Sequence, residues 1–336
     1  MTASNKPQIL VTGATGFIGG RLAQRLVESG RSVKLLVRDP CKLVPSLRGA
    51  CDIVKGDLGD TRALASAVQN TNVIFHCAAN VKTWDSWEAY YATNVLGVEN
   101  LLNAIAEGNP NLTRLVYLST VDVYGFPVVP CDEECHLTGG GFSYGETKLT
   151  GENLVTKRGG SLGIPYTILR PANVIGPGSQ LILRIGNQLK SGLMLKVDGG
   201  RVNAGLLYIE NLIDYMIWAA ESPRSLGECY NIRDDYDLSW VEFLSRFRTA
   251  IGGRGILLNA PFFAADAIAG VFESVNHFCC PSREPLLHRL LVRFFGRSSG
   301  HSSKKIQHDC GRLPMCGFDE ALENSVRWFL NEHSGG

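Results

Sequence analysis

Apolar residues along this chain fall into two alternating rhythms. Short, nearly unbroken runs, "QILVTG" (8–13), "SVKLLVR" (32–38), "CDIVKGD" (51–57), "NVIFHCAA" (72–79), "RLVYLST" (114–120) and "YTILRP" (166–171), read as strands buried on both faces. Between them apolar residues return at helical spacing. Ile18, Leu22 and Leu26 form one such set, closed by Gly30, and Asp60 caps a second over "TRALASAV". Tyr91, Val95, Val98, Leu102 and Ile105 mark a long helix that Gly108 ends, and another is expected around Tyr144. Strands and helices in strict alternation predict an α/β protein: a doubly wound parallel sheet with helices on both faces.

After Pro171 the alternation loosens. A helix is expected over 179–192, a strand running into a helix over 205–220, and a strand at "ECYNI" (228–232). Ser239 and Glu242 make a capping box ahead of a helix over 240–251, and the last helix is expected from about Asp319 to Asn331. Residues 1–175 are therefore expected to form a nucleotide-binding domain to which 205–235 returns. Residues 176–336 should be mainly a smaller, mostly helical substrate-binding region over the carboxyl ends of the strands. The stretch "ILLNAPFFAADAIAGVF" (256–272) is interrupted by Asn259, Pro261 and Asp266 and is short for a bilayer span. It reads first as the wall of an apolar substrate pocket, with a peripheral membrane contact as the alternative.

Composition narrows the classes. With 336 residues, 45% hydrophobic, 19% charged and a net charge of +1, the chain is globular and offers no electrostatic footprint for nucleic acid. "MTASNKPQILVTG" lacks the basic start and apolar run of a secretory signal, so a cytoplasmic protein with ten reduced cysteines is expected. Cys131, Cys135 and His136 cluster, as do His308, Cys310 and Cys316, but without the paired spacing of a structural zinc site, so no metal is expected.

Chemistry enters at "VTGATGFIGG", where Gly13, Gly16 and Gly19 follow a strand and open a helix. The first allows a tight turn, the second lets backbone approach a pyrophosphate, and the third lets helix and strand pack closely. With Thr15, Phe17 and Ile18 in the same turn, the helix amino end is a dinucleotide phosphate site of the Rossmann type. The end of the second strand carries Val37, Arg38 and Asp39, so a guanidinium stands where a carboxylate would hold a ribose 2′-hydroxyl. NADP(H) is accordingly favoured over NAD(H), the alternative being that Arg38 faces solvent and Asp39 makes the hydrogen bond.

Tyr144 and Lys148 in "GFSYGETKLTGENL" are one helical turn apart and share a face. Together with "TGATGFIGG", "GDL" (56–58), "HCAA" (76–79), "TNVLGVENLL" (93–102), "YLSTVDVYG" (117–125), "YGETK" (144–148) and "LRPANVIGP" (169–177), they give a chain that resembles the extended short-chain dehydrogenases/reductases. It looks most like their 3β-hydroxysteroid dehydrogenase-like and dihydroflavonol-reductase-like branch, within the epimerase/dehydratase superfamily, and the C-terminal third matches least.

The resemblance implies that Tyr144 is the acid/base, that Lys148 assists it and holds the nicotinamide ribose, and that Thr120, with Ser119 as second choice, orients the substrate oxygen. It also implies that Asp57 and Leu58 flank the adenine, that Ala78 and Ala79 line the cofactor cleft, and that Pro171 to Val174 meet the nicotinamide end. Asn94 takes a place associated with a proton relay, and a homodimer would form through helices at 88–107 and 143–158. Exchanging protons at neutral pH requires the phenol to fall by roughly three units from its usual ~10, and the neighbouring lysine together with an oxidised nicotinamide is expected to favour the phenolate. Trp84, Trp87 and Leu181 to Leu183 suggest a small apolar substrate such as a sterol, a flavonoid-like ring or a long-chain keto compound. Two alternatives stand beside that oxidoreductase. One is a sugar-nucleotide epimerase or dehydratase using Arg184, Lys190, Lys196 and Arg201 for the diphosphate, and the other is a non-catalytic dinucleotide sensor.

Overall fold

The computed structural model describes residues 8–279, 283–311 and 316–334; the first seven residues, which enter the leader reading, lie outside the described residues. In chain order the elements are β1 (Gln8–Thr12), α1 (Phe17–Glu28), β2 (Ser32–Val37), α2 (Pro45–Arg48), β3 (Asp52–Lys55), α3 (Thr61–Val68) and β4 (Val73–His76). Then come α4 (Trp87–Tyr91), α5 (Gly97–Gly108), β5 (Arg114–Leu118), α6 (Ser143–Asn153), β6 (Tyr166–Pro171), β7 (Asn173–Ile175) and α7 (Gln180–Ser191). The chain continues through β8 (Leu193–Val197), β9 (Leu206–Tyr208), α8 (Ile209–Glu221), β10 (Cys229–Ile232), α9 (Trp240–Ala250) and β11 (Ile256–Ala260). It ends with α10 (Phe262–Cys279), α11 (Arg289–Gly296), α12 (Lys304–Cys310) and α13 (Phe318–Ser334).

Seven strands pair in the order β10-β6-β5-β4-β1-β2-β3, all parallel. Burial on both faces explains the unbroken apolar runs. Ile9 and Val11 point into one core cluster and Leu10 into the other, and Leu35 and Val37 oppose Leu36 in the same way. The strand order reverses between β1 and β4, so their carboxyl ends open a crevice there. Two small parallel pairs, β7 with β9 and β8 with β11, stand beside the main sheet.

Three expectations change. The helix expected over 91–105 is interrupted by a π turn, Ala92–Leu96. There α6 approaches so closely that a Cβ on Gly151 would lie 2.5 Å from both the Asn94 carbonyl oxygen and the Tyr117 hydroxyl. Strands β8 and β11 were not anticipated, because each is a short edge pair whose alternation is masked by a continuous apolar run. Finally, 256–272 is β11 followed by the start of α10, with Leu257 and Phe262 packed against the core and Ile256, Leu258, Phe263, Ile268, Val271 and Phe272 exposed. Ala265 and Ala269 are the buried residues of α10, while Phe263 (77%), Val271 (64%) and Phe278 (87%) are exposed. Small residues let the helix sit close to its support, and its bulky face is left outward.

Candidate active site

The site begins at the turn between β1 and α1. Gly13 has φ +76°, and a Cβ there would lie 2.7 Å from the Ala78 backbone nitrogen, so only glycine lets the turn abut the end of β4. A Cβ on Gly19 would come within 2.5 Å of the Gly13 carbonyl oxygen, which fixes how closely α1 leaves the strand. Gly16 is the N-cap of α1 with no side-chain cap, and Thr15 and Gly16 are exposed. The first-turn N–H groups therefore face outward with the positive end of the helix dipole behind them. Phe17 and Ile18 are half-buried, and the Phe17 ring lies 3.1 Å from where a Gly178 Cβ would be, so the loop after β7 reaches back to this turn. A glycine-lined cradle at a bare helix mouth fits a dinucleotide pyrophosphate.

Around this cradle the remaining candidates occupy strand ends. Arg38 is exposed just after β2, whereas the Asp39 carboxylate accepts from the Cys41 N–H at 3.0 Å as cap of the turn Pro40–Lys42. Asp57 accepts from the N–H groups of Gly59 (2.8 Å) and Asp60 (3.1 Å), and buried Leu58 receives the Asn100 amide on its carbonyl at 2.9 Å. Ala78 and Ala79 are half-buried after β4, and the Ala78 N–H donates to Thr12 Oγ1 at 3.2 Å. Pro171 is buried at the end of β6, and Val174 is half-buried in β7.

Helix α6 carries Tyr144, Lys148 and Glu152 at successive turns of one face. Lys148 is 2% exposed; its Nζ donates to the Leu118 carbonyl at 2.7 Å and lies 4.5 Å over the Tyr117 ring. Ser119 donates to Glu152 Oε2 at 2.7 Å, and Glu152 is ion-paired with buried Arg170. Ser119 is thus engaged below the site. Thr120, buried at the carboxyl end of β5, accepts from the Asp122 N–H at 3.2 Å on its hydroxyl. The Asn94 amide is spent locally: Oδ1 accepts from the Asn80 N–H at 2.8 Å, and Nδ2 donates to the Asn80 carbonyl (3.1 Å) and Thr147 Oγ1 (3.2 Å). Its side chain ties the 80s loop to α6, which leaves the proton-relay expectation without a free amide.

The electrostatics of the phenol in this chain run against the expected lowering. Burial and the Asp122 carboxylate push the Tyr144 phenol above its ordinary value, against the lowering hydrogen bond of Thr120. The causes acting on the phenol are burial, Asp122, Thr120 and Tyr90, while the Lys148 ammonium donates to the Leu118 carbonyl. Burial lowers Lys148 itself to about 8, opposed by the charges of Glu152 and Cys77. Burial and Lys148 hold His76 down near 3, and burial raises the Cys77 thiol to about 12. Asp122, raised by burial to about 6, went unnoticed in the sequence although it stands two residues beyond Thr120. Its signal was an acid inside an otherwise apolar turn.

On the substrate side Trp84 and His288 rings lie 5.6 Å apart, Trp87 is 46% exposed, and Leu181 and Leu183 are partly buried against the core. Arg184 is paired with Glu284 at 2.8 Å, and the Arg293 guanidinium lies 5.6 Å over the Phe142 ring, two residues before Tyr144. Among the described residues no group of three or more His, Cys, Asp or Glu is arranged to hold a metal ion, and no helix is long and apolar enough to cross a membrane.

Comparison with known proteins agrees with this architecture. The chain is 28% identical over 332 residues to the 2-alkyl-3-oxoalkanoate reductase of Stenotrophomonas maltophilia, covering 94% of this chain and 97% of the relative. It is 27% identical over 347 residues to a 3-beta-hydroxysteroid dehydrogenase of Mycolicibacterium neoaurum, covering 96% and 92%. Its fold matches the crystal structure of UDP-glucuronic acid 4-epimerase from Bacillus cereus in complex with NAD, with a TM-score of 0.78 at 22% identity, covering 98% of each chain. Residues 9–232 match the family described as NAD dependent epimerase/dehydratase. That span runs from β1 to β10, the whole of the main sheet but for one residue of β1, and the chain belongs to that family of nicotinamide-dependent enzymes, among the 3β-hydroxysteroid dehydrogenase-like extended short-chain dehydrogenases/reductases.

Proposed function

We propose that this enzyme is an NADP(H)-dependent oxidoreductase that interconverts a carbonyl and a secondary alcohol on an apolar molecule, with Tyr144 as the proton-exchanging group. One observation carries the reading: Lys148, one turn beyond Tyr144 on α6, is buried and reaches the Leu118 carbonyl at the carboxyl end of β5, while Gly13 of the glycine turn abuts Ala78 at the end of β4. The residues around that turn would hold the dinucleotide, with Gly13, Thr15, Gly16, Phe17, Ile18 and Gly19 at the pyrophosphate and Asp57, Leu58, Ala78 and Ala79 along the cleft. Pro171 and Val174 would stand toward its nicotinamide end. Arg38 supports a 2′-phosphate because it is exposed while Asp39 is committed to its own turn. The nicotinamide, when bound, supplies or takes up the hydride. The Tyr144 hydroxyl holds the proton that passes to the carbonyl oxygen in reduction, and Thr120 fixes that oxygen beside it. Lys148, fixed by the Leu118 carbonyl, presents a buried cation to the ribose side of the site.

The relatives named as acting on 3-oxoalkanoates and on steroids support an apolar keto substrate, as does the pairing of Arg184 with Glu284, which takes that cation from a sugar diphosphate. The second reading, a sugar-nucleotide epimerase, rests on the fold match and on the description of the family. The test is a steady-state screen of NADPH and NADH consumption with 2-alkyl-3-oxoacyl compounds, 3-ketosteroids and UDP-sugars. Net NADPH consumption with the apolar ketones supports the proposal; sugar conversion without net redox overturns it.

A further inference from the structure

Tyr117 is a buried residue beside the site that none of these steps uses. It stands in β5 opposite His76 of β4, and His76 stands opposite Thr12 of β1. The three residues therefore form one row across the central strands, and the row begins directly before the glycine turn. Contacts close it at each step. The Ala78 N–H donates to Thr12 Oγ1 at 3.2 Å, and Thr12 Oγ1 and His76 Nδ1 are hydrogen-bonded at 3.0 Å. The His76 and Tyr117 rings stack with centroids 5.8 Å apart and planes 15° from parallel.

The far end of the row meets α6. A Cβ on Gly151 would lie 2.5 Å from the Tyr117 hydroxyl, so a glycine lets the helix rest on this ring, and the Lys148 ammonium lies 4.5 Å over the same ring. Among the described residues neither the Tyr117 hydroxyl nor His76 Nε2 has a hydrogen-bond partner. A buried hydroxyl without a partner costs stability, so the hydroxyl does not explain an aromatic residue here. The ring face does, because it attracts a cation within about 6 Å of its centroid, most strongly where water is excluded. Lys148 is 2% exposed, and the carbonyl that accepts its hydrogen bond belongs to Leu118, the next residue after Tyr117.

We infer that Tyr117 is a positioning residue for the reaction: its ring, fixed in a row with His76 and Thr12, seats the Lys148 ammonium and ties the lysine to the strand ends that carry the dinucleotide turn. The inference rests on the reductase reading for the part Lys148 takes in turnover. Other titratable groups face the ammonium from three elements. His76 and Cys77 stand at the end of β4, Tyr144 lies one turn back on α6, and Glu152 one turn on, paired with Arg170 of β6. Substitutions at 117 leave all of these in place, so a changed Lys148 reads the ring.

The experiment follows the 13Cε-lysine resonance of the cofactor-free enzyme that disappears in Lys148→Met, in wild type, Tyr117→Leu and Tyr117→Phe. Beside it run pH profiles of kcat/KM for NADPH-dependent reduction of a 2-alkyl-3-oxoacyl compound. In Tyr117→Leu the Lys148 midpoint, about 8 in wild type, should fall by about one pH unit, and the alkaline loss of kcat/KM should fall with it. Tyr117→Phe keeps the ring face and should restore both wild-type midpoints. If Tyr117→Leu does not fold, a fluorinated phenylalanine at position 117, which keeps the ring's shape and weakens its negative face, is read in the same way. Midpoints unmoved while stability alone falls would overturn the inference and leave an ordinary core residue. A midpoint moved as far by Tyr117→Phe as by Tyr117→Leu would also overturn it, since the hydroxyl would then be the acting group. Full activity in Tyr144→Phe would instead overturn the reductase reading, and the lysine resonance would still decide what seats Lys148.

Discussion

Replacing Glu152 by Gln removes one half of an ion pair buried directly beneath Lys148. The Glu152 and Arg170 side chains are 4% and 5% exposed. Arg170 Nε reaches both carboxylate oxygens at 3.2 and 3.1 Å, Ser119 donates to one of them at 2.7 Å, and Arg170 Nη1 donates to the Tyr124 hydroxyl at 2.6 Å. In Glu152→Gln the guanidinium keeps the Tyr124 contact and one amide oxygen but loses its counter-charge in a place water cannot reach. Removing one partner of such a pair costs about 3–5 kcal/mol, and the retained amide oxygen puts this case near the lower figure, about 3 kcal/mol. For a chain of this size that is a fall in Tm of roughly 4 °C. Urea unfolding followed by circular dichroism gives the free energy. The double variant Glu152→Leu/Arg170→Leu should recover most of the loss, because neither charge then remains buried. A single-variant loss below about 1 kcal/mol would refute the claim that the pair is dry and mutually dependent. Lys148 gives an independent readout. Its folded value lies below its ordinary one, so the unfolded chain binds more protons between about 8 and 10.5, and stability rises with pH across that window. Without Glu152 the lower edge of the window should move further down.

Other outcomes follow from the same geometry. Arg38→Ala should weaken NADPH binding by about 10–100-fold, the range of a charge-assisted hydrogen bond, and leave NADH binding unchanged in fluorescence titrations; equal losses for both cofactors would refute the 2′-phosphate role. Gly13→Ala should cost at least about 1–2 kcal/mol and abolish cofactor binding, because the left-handed backbone and the Ala78 contact both oppose a Cβ; a stable variant that binds normally would refute that fit. Phe263→Ser on the outward face of α10 should change stability by less than about 0.5 kcal/mol, whereas Ala269→Leu on its inward face should cost about 1–3 kcal/mol; the opposite ranking in chemical denaturation would invert the helix. Burial holds His76 near 3 and His301 near 4, so below about 6.5 the unfolded chain binds protons that the folded imidazoles do not, and stability should fall as pH drops from 7 to 5.5, partly offset by Asp122 and Asp234, whose carboxyls, raised to about 6, take up protons in the folded chain. A Tm flat over that interval would contradict neutral, buried imidazoles.

The sheet was legible in the sequence because its inner strands are buried on both faces and therefore written as continuous apolar runs, as Ile9, Leu10 and Val11 illustrate. The glycine turn was legible for a related reason: Gly13 and Gly19 answer to steric limits that no side chain can meet. What the sequence hid depends on contacts between distant segments. Nothing near Lys148 in the chain says that its ammonium turns to Leu118, or that the acid beside Tyr144 is Asp122. The outward face of α10 was hidden too, since Phe and Val read as core until their partners are known, and here the partners lie behind the alanines. The cofactor turn follows local rules, whereas proton chemistry is set by three-dimensional neighbours.

The most direct test of the account is the turnover of purified Tyr144→Phe with NADPH and a 2-alkyl-3-oxoacyl substrate, beside its NADPH dissociation constant. The account predicts a loss of about 10²–10⁴-fold in kcat/KM with cofactor affinity retained. Wild-type turnover without the phenol would contradict it.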